Sequence, residues 1–169
     1  MRAKKITAAV VLSVIAAVGF APLANAAVRP TTAQKLQLQY LIEEEKLARD
    51  VYLYLAANVT TAKFSNIAKS EQTHMDQIAA VLKTYNYFNP TTTRAAGVFR
   101  DKSLQALYNT LIAQGSVDVA AAMQVGRDIE NLDIKDLQVM LKSTMPADMK
   151  LALDNLLKGS YNHLAAFNR

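Results

Sequence analysis

A chain of 169 residues, with 51% hydrophobic and 20% charged residues, 5 Gly and 4 Pro, has the composition of one folded globular domain. Disordered, collagen-like and repeat architectures are excluded. Cysteine is absent, so disulfides, thiolate zinc sites, iron–sulfur clusters and a cysteine nucleophile are excluded together, and any metal must be held by oxygen and imidazole.

The formal charge of +5 is concentrated at the N-terminus. Arg2, Lys4 and Lys5 form a basic region, Ile6 to Phe20 an apolar one, and Ala24-Asn25-Ala26 a small-residue cleavage site. This pattern predicts a secretory signal peptide over 1–26, cleaved before Ala27, since about 15 apolar residues fall short of the roughly 20 needed to span a bilayer. The expected mature domain, 27–169, is periplasmic or extracellular and carries no membrane anchor. Without the three leading basic residues, 16 Lys+Arg face 14 Asp+Glu, so the charge argument for a nucleic-acid partner disappears.

The mature chain reads as helix almost throughout, with apolar positions recurring at three and four and no strand-like alternation. A first helix is predicted at about Thr32–Ala57 and a second at about Lys63–Tyr85, joined by a short link that makes them antiparallel neighbours. Residues 86–101, with Pro, Gly and three consecutive Thr, read as loop. A short helix follows at about Lys102–Gln114, then longer ones at about Ser116–Lys142 and Ala147–Phe167. Two short hairpins joined by one long crossover predict an all-α, four-helix bundle with a short helix in the crossover between its second and third helices.

Projected at about 100° per residue, each long helix carries a polar residue inside its apolar stripe. On the second helix Phe64, Ile67, Ala68, Met75, Ile78, Leu82 and Tyr85 surround Glu71, with His74 one turn on. On the third, Val119, Met123, Gly126, Ile134, Leu137 and Leu141 surround Glu130. On the first, Leu38, Leu41, Ile42, Ala48, Val51, Tyr52 and Leu55 pass close to Glu45 and further from Glu44, leaving Glu43 to face solvent. On the last, Ala152, Leu156, Gly159 and Phe167 bring His163 inward. Buried ionised carboxylates must be protonated, paired with cations or metal-bound. Arg49 and Arg127 at the stripe edges could supply a purely structural ion network. Carboxylates and imidazoles at one depth suit Fe or Mn, with Zn and Cu behind them; the methionines (Met75, Met123, Met140, Met145 and Met149) read as core-fillers rather than copper ligands.

These residues resemble the ferritin-like di-iron carboxylate superfamily and, within it, the domain-of-unknown-function family 2202, over about Leu36–Phe167. Glu45-Lys46-Leu47-Ala48-Arg49-Asp50-Val51-Tyr52 is similar to the first-helix pattern of rubrerythrins, and Glu71-Gln72-Thr73-His74 to the second-helix Glu-x-x-His. The resemblance implies Glu45, Glu71, His74, Glu130 and His163 as ligands, Glu71 being the bridging carboxylate, with Asp133, Ser160 and Glu44 as auxiliaries, and one or two ions per chain. It departs at the fourth helix, where Ser160 stands in place of the second bridging Glu. The implied activity is ferroxidase- or peroxidase-like, using O₂ or peroxide. Without a cysteine-ligated redox module, an external electron donor is needed. Tyr52 and Tyr161 are candidate relays, each also readable as a core aromatic. The alternatives are a metal-binding module without turnover and a structural bundle with a buried polar network. A Ser160–His163 hydrolase is poorly supported, and homodimer formation is left open.

Overall fold

The computed structural model describes residues 28–59 and 61–169, so the segment 1–26, expected from its sequence to be a signal peptide, lies outside the described residues. Within them are five helices and no strand: α1 (Thr32–Asn58), α2 (Ala62–Thr84), α3 (Lys102–Gly115), α4 (Val119–Met140) and α5 (Ala147–Phe167). No helix among the described residues is long and apolar enough to cross a membrane.

Local chemistry sets the helix starts. Thr31 and Gln34 form a reciprocal capping box at α1, and Thr61 caps α2 through Lys63 N. Asp101 accepts from Ser103 N and Leu104 N to open α3. The third long helix begins at Val119, not at Ser116, because Asp118 takes Ala121 N with its carboxylate, while Ser116 closes the end of α3. Val119 is 47% exposed and does not join the core stripe expected of it.

α1 packs along α2 and α4 along α5; the two hairpins meet through α2 with α5 and α1 with α4, and α3 lies against α1 and α4. The apolar residues form two separate clusters. One gathers Leu47, Val51, Leu55, Phe64, Ala68, Val125, Ile129 and Phe167; the other gathers Leu38, Ile42, Met75, Ile78, Leu137, Met140, Met149 and Leu156. Each long helix runs from one cluster to the other, α1 and α5 in one sense, α2 and α4 in the opposite. Between the clusters, every long helix passes through a polar layer: 43–46 on α1, 71–74 on α2, 130–133 on α4 and 160–163 on α5. The methionines other than Met1 belong to the apolar clusters or pack against them.

One expectation for α1 is corrected. Residues 41–48 are all buried, Glu43 included, because the crossover before α3 covers the side of the helix that projection alone leaves to solvent. Glu43 accepts Arg100 N and Asp101 N, and Asp50 accepts Gly97 N at 2.9 Å. Lys46, 1% exposed, pairs with Asp50, donates to Ala95 O at 2.8 Å and lies 4.4 Å from the centre of the Phe99 ring. Gly97 adopts φ 71°, the left-handed conformation that lets its N–H turn toward Asp50.

Candidate metal centre

The polar layer brings all five of the principal candidates together. Glu71, from the middle of α2, is central. Its Oε2 lies 2.8 Å from His74 Nδ1, which is also 3.1 Å from Glu45 Oε2 on α1. Its Oε1 lies 2.8 Å from His163 Nδ1 on α5, which is 3.6 Å from Glu130 Oε2 on α4. Glu45, Glu71 and His74 therefore form one group with ligand atoms close enough to hold an ion, and Glu71, Glu130 and His163 form another. The two groups share Glu71, one oxygen facing each. The imidazole rings lie 5.4 Å apart.

The fit of a cation is visible in what the side chains leave unsatisfied. Glu45 Oε1, both oxygens of Glu44 and Asp133 Oδ1 are buried without a hydrogen-bond partner, while Glu71 Oε1 and His163 Nδ1 face each other at 2.8 Å. Buried polar atoms are nearly always partnered, so a local concentration of unsatisfied carboxylate oxygens is a place that could hold a cation. The arginines do not provide it: Arg49 turns to Asp50 and Gln72, and Arg127 to Gln124 and the Phe167 carbonyl. The structural network expected from those two residues does not form.

Supporting contacts orient the ligand atoms. His163 Nε2 is 2.9 Å from Ser70 Oγ, a contact that holds the ring with Nδ1 toward Glu71 and Glu130. Tyr52, fully buried, donates its phenolic proton to Glu130 Oε1 at 2.7 Å. Gly159 gives His74 its place, since a methyl group at 159 would overlap the Nε2 edge of the ring. Ser160 bonds Asp133 of α4 and sits 3.0 Å from the Leu156 carbonyl. It makes no hydrogen bond to His163, so no serine–histidine nucleophile is assembled. Tyr161 is 46% exposed and accepts from Gln138, pointing away from the centre. That removes it as a relay and leaves Tyr52.

Burial and mutual repulsion set the proton inventory. Burial pushes Glu45 and Glu130 each up to about 8 despite the neighbouring imidazoles. Burial alone would raise Glu71 too, but His163 and His74 outweigh it and hold Glu71 down to about 2. Conversely, burial would lower the imidazoles, yet Glu45 and Glu71 raise His74 to about 11, and Glu130 and Glu71 raise His163 to about 9. Glu44 and Asp133 are pushed well above the usual carboxylate range, first by burial and then by other carboxylates. The metal-free centre is therefore neutralised by protons.

A family model described as an uncharacterized protein domain, DUF2202, matches residues 34–169. The chain belongs to the DUF2202 family. It is 45% identical over 127 residues to the uncharacterized protein MJ0754 of Methanocaldococcus jannaschii, a match covering 75% of this chain and 69% of that one. The crystal structure of the hypothetical protein MJ0754 from Methanococcus jannaschii superposes with a TM-score of 0.80 at 42% identity, covering 82% of this chain and 79% of the other. Nothing in these descriptions states an activity.

Of the supporting residues, the sequence points to Tyr52, Asp133 and Ser160 but not to Ser70. Ser70 lies on the edge of the α2 stripe and shows no periodic signal. The Glu130-x-x-Asp133 spacing points at the Asp133 position, but only the packing of α4 on α5 reveals that this carboxylate meets Ser160.

Proposed function

We propose that this DUF2202 protein is a metal-binding bundle of the ferritin-like type, holding two Fe or Mn ions through carboxylate and histidine. One observation carries the reading: the two oxygens of Glu71 are divided between two three-residue groups. Glu45 and His74 complete one position and Glu130 and His163 the other, with Asp133 auxiliary. Hard carboxylate oxygens with one imidazole per position suit these ions, and Zn and Cu rank behind them. The opposed helix directions and the long connection through α3 support the ferritin-like arrangement.

When bound, such ions would supply the electrons for reduction of O₂ or peroxide. The residues around them do the rest. Glu45 and Glu130 give up protons on loading; Ser70 fixes the His163 ring; and Tyr52 keeps a phenolic proton 2.7 Å from Glu130 Oε1, its own ionisation suppressed first by burial and then by Glu130. An external electron donor closes any catalytic cycle. The protein acts after export, with cleavage before Ala27, which N-terminal mass analysis of the cellular protein tests directly.

The test is consumption of Fe(II) with O₂ or peroxide by the metal-loaded protein. Continued oxidation beyond the amount of iron bound supports ferroxidase or peroxidase chemistry, and Glu71→Gln abolishes it. Stoichiometric binding with no turnover supports the second reading, a metal-holding module, which Ser160 favours because it places a hydroxyl where a second bridging carboxylate would otherwise stand.

A further inference from the structure

Glu44 belongs to neither three-residue group, yet it is only 4% exposed and neither of its oxygens has a hydrogen-bond partner. The nearest buried cation along α1, Lys46, is committed to Asp50, Ala95 O and the Phe99 ring on another side of the helix. An unpaired buried carboxylate costs on the order of several kcal/mol as the anion, so the fold itself gives no account of it.

Its surroundings do. A groove of about 380 Å³ opens between α1 and α4, lined by Tyr40, Leu41, Glu44, Asp136 and Met140 among others. On α4, Glu130, Asp133 and Asp136 follow at intervals of three. Each step rises about 4.5 Å and turns about 60°, so the row leaves the core as it leaves the centre. Burial follows that geometry: Glu130 is 1% exposed, Asp133 5%, and Asp136 half-buried at the groove. Asp133 stands within electrostatic reach of Glu44 on one side and of Glu45 and Glu71 on the other, with Oδ1 unpartnered. A carboxylate is thus available at each stage from solvent to the bridging Glu71.

We propose that divalent cations enter the centre through the α1–α4 groove, received at Asp136, held in passing by Glu44 and handed on by Asp133. This rests on the metal-centre reading above. Glu44 is a transit group and not a ligand of the loaded centre, so its loss slows filling without lowering the final content.

The experiment follows Co²⁺ uptake by the metal-free protein, using the visible absorption of the bound ion in a stopped-flow instrument, with final Co²⁺ per chain measured separately. Glu44→Gln, which has no proton to give up to an arriving ion, should fill to the wild-type content about tenfold more slowly. Asp136→Asn should slow filling in the same sense, and, being only half-buried, it carries the test if the Glu44 variant does not fold. Uptake by both variants at the wild-type rate overturns the route. A reduced final content in Glu44→Gln also overturns it, by making Glu44 a ligand. Loss of content in Glu71→Gln beside normal filling rates in Glu44→Gln and Asp136→Asn leaves the metal centre standing and only the route refuted. Failure of the wild type to take up Co²⁺ refutes both.

Discussion

At the scale of single residues, the centre is a set of carboxyl groups and imidazoles held in register by neighbours outside the two three-residue groups. Glu71 serves both groups, so Glu71→Ala should remove essentially all bound metal, as measured by metal content after gel filtration. Glu43→Ala is the informative contrast. Glu43 is as buried as the ligands, but its oxygens are taken by Arg100 N and Asp101 N, so its loss should leave metal content intact and cost about 1–3 kcal/mol of stability in chemical denaturation. Equal metal loss in the two variants would contradict the assignment. Ser70→Ala should weaken affinity about tenfold by releasing the His163 ring, with the content at saturating metal unchanged.

Protons belong to this scale as well. Glu45 and Glu130 near 8, His163 near 9 and His74 near 11 mean that the metal-free centre is largely protonated at neutral pH. A metal must displace those protons, so affinity rises as pH rises through the neutral range and falls on acidification. Calorimetric titration in buffers of different ionisation enthalpy should show net proton release on loading; its absence would contradict the proton inventory.

At the scale of elements, the outer side of α1 is bound to the crossover as firmly as its inner side faces the centre. Asp50 neutralises Lys46 and receives Gly97 N, so Asp50→Ala should strand a buried ammonium and destabilise the fold by about 3–5 kcal/mol, read from urea unfolding of the metal-free protein. Gly159→Ala, by pushing His74 away from its position, should lose metal at the Glu45–His74 side while Glu130 and His163 keep theirs. Asp50, through Lys46 and Gly97, also marks where the sequence stops being legible. Glu71, His74, Glu130 and His163 sit inside apolar stripes, and a 3.6-residue period is enough to find them. The burial of Glu43 and Lys46 depends on a loop some fifty residues away, which no helical projection contains. α4 starts three residues beyond the expected Ser116, because Ser and Asp can both cap a helix and only the hydrogen bond from Ala121 N decides between them.

At the scale of the whole molecule, a layer of carboxylates and imidazoles divides what would otherwise be one continuous apolar core. That layer holds unpartnered carboxylate oxygens where the two clusters on either side hold packed side chains. A ligand that binds only the folded state adds RT ln(1 + [L]/Kd), about 2.7 kcal/mol at a hundredfold excess over Kd. Added Mn²⁺ should therefore raise the melting temperature, and a chelator should lower it for protein purified with its metal. The most direct test of the central claim is the metal content of protein isolated without chelator from its own host, expressed per chain by mass spectrometry. Two Fe or Mn ions per chain is the predicted result. A protein free of metal whose melting temperature ignores added Fe, Mn and chelator would contradict the account and leave the polar layer a proton-neutralised structural network.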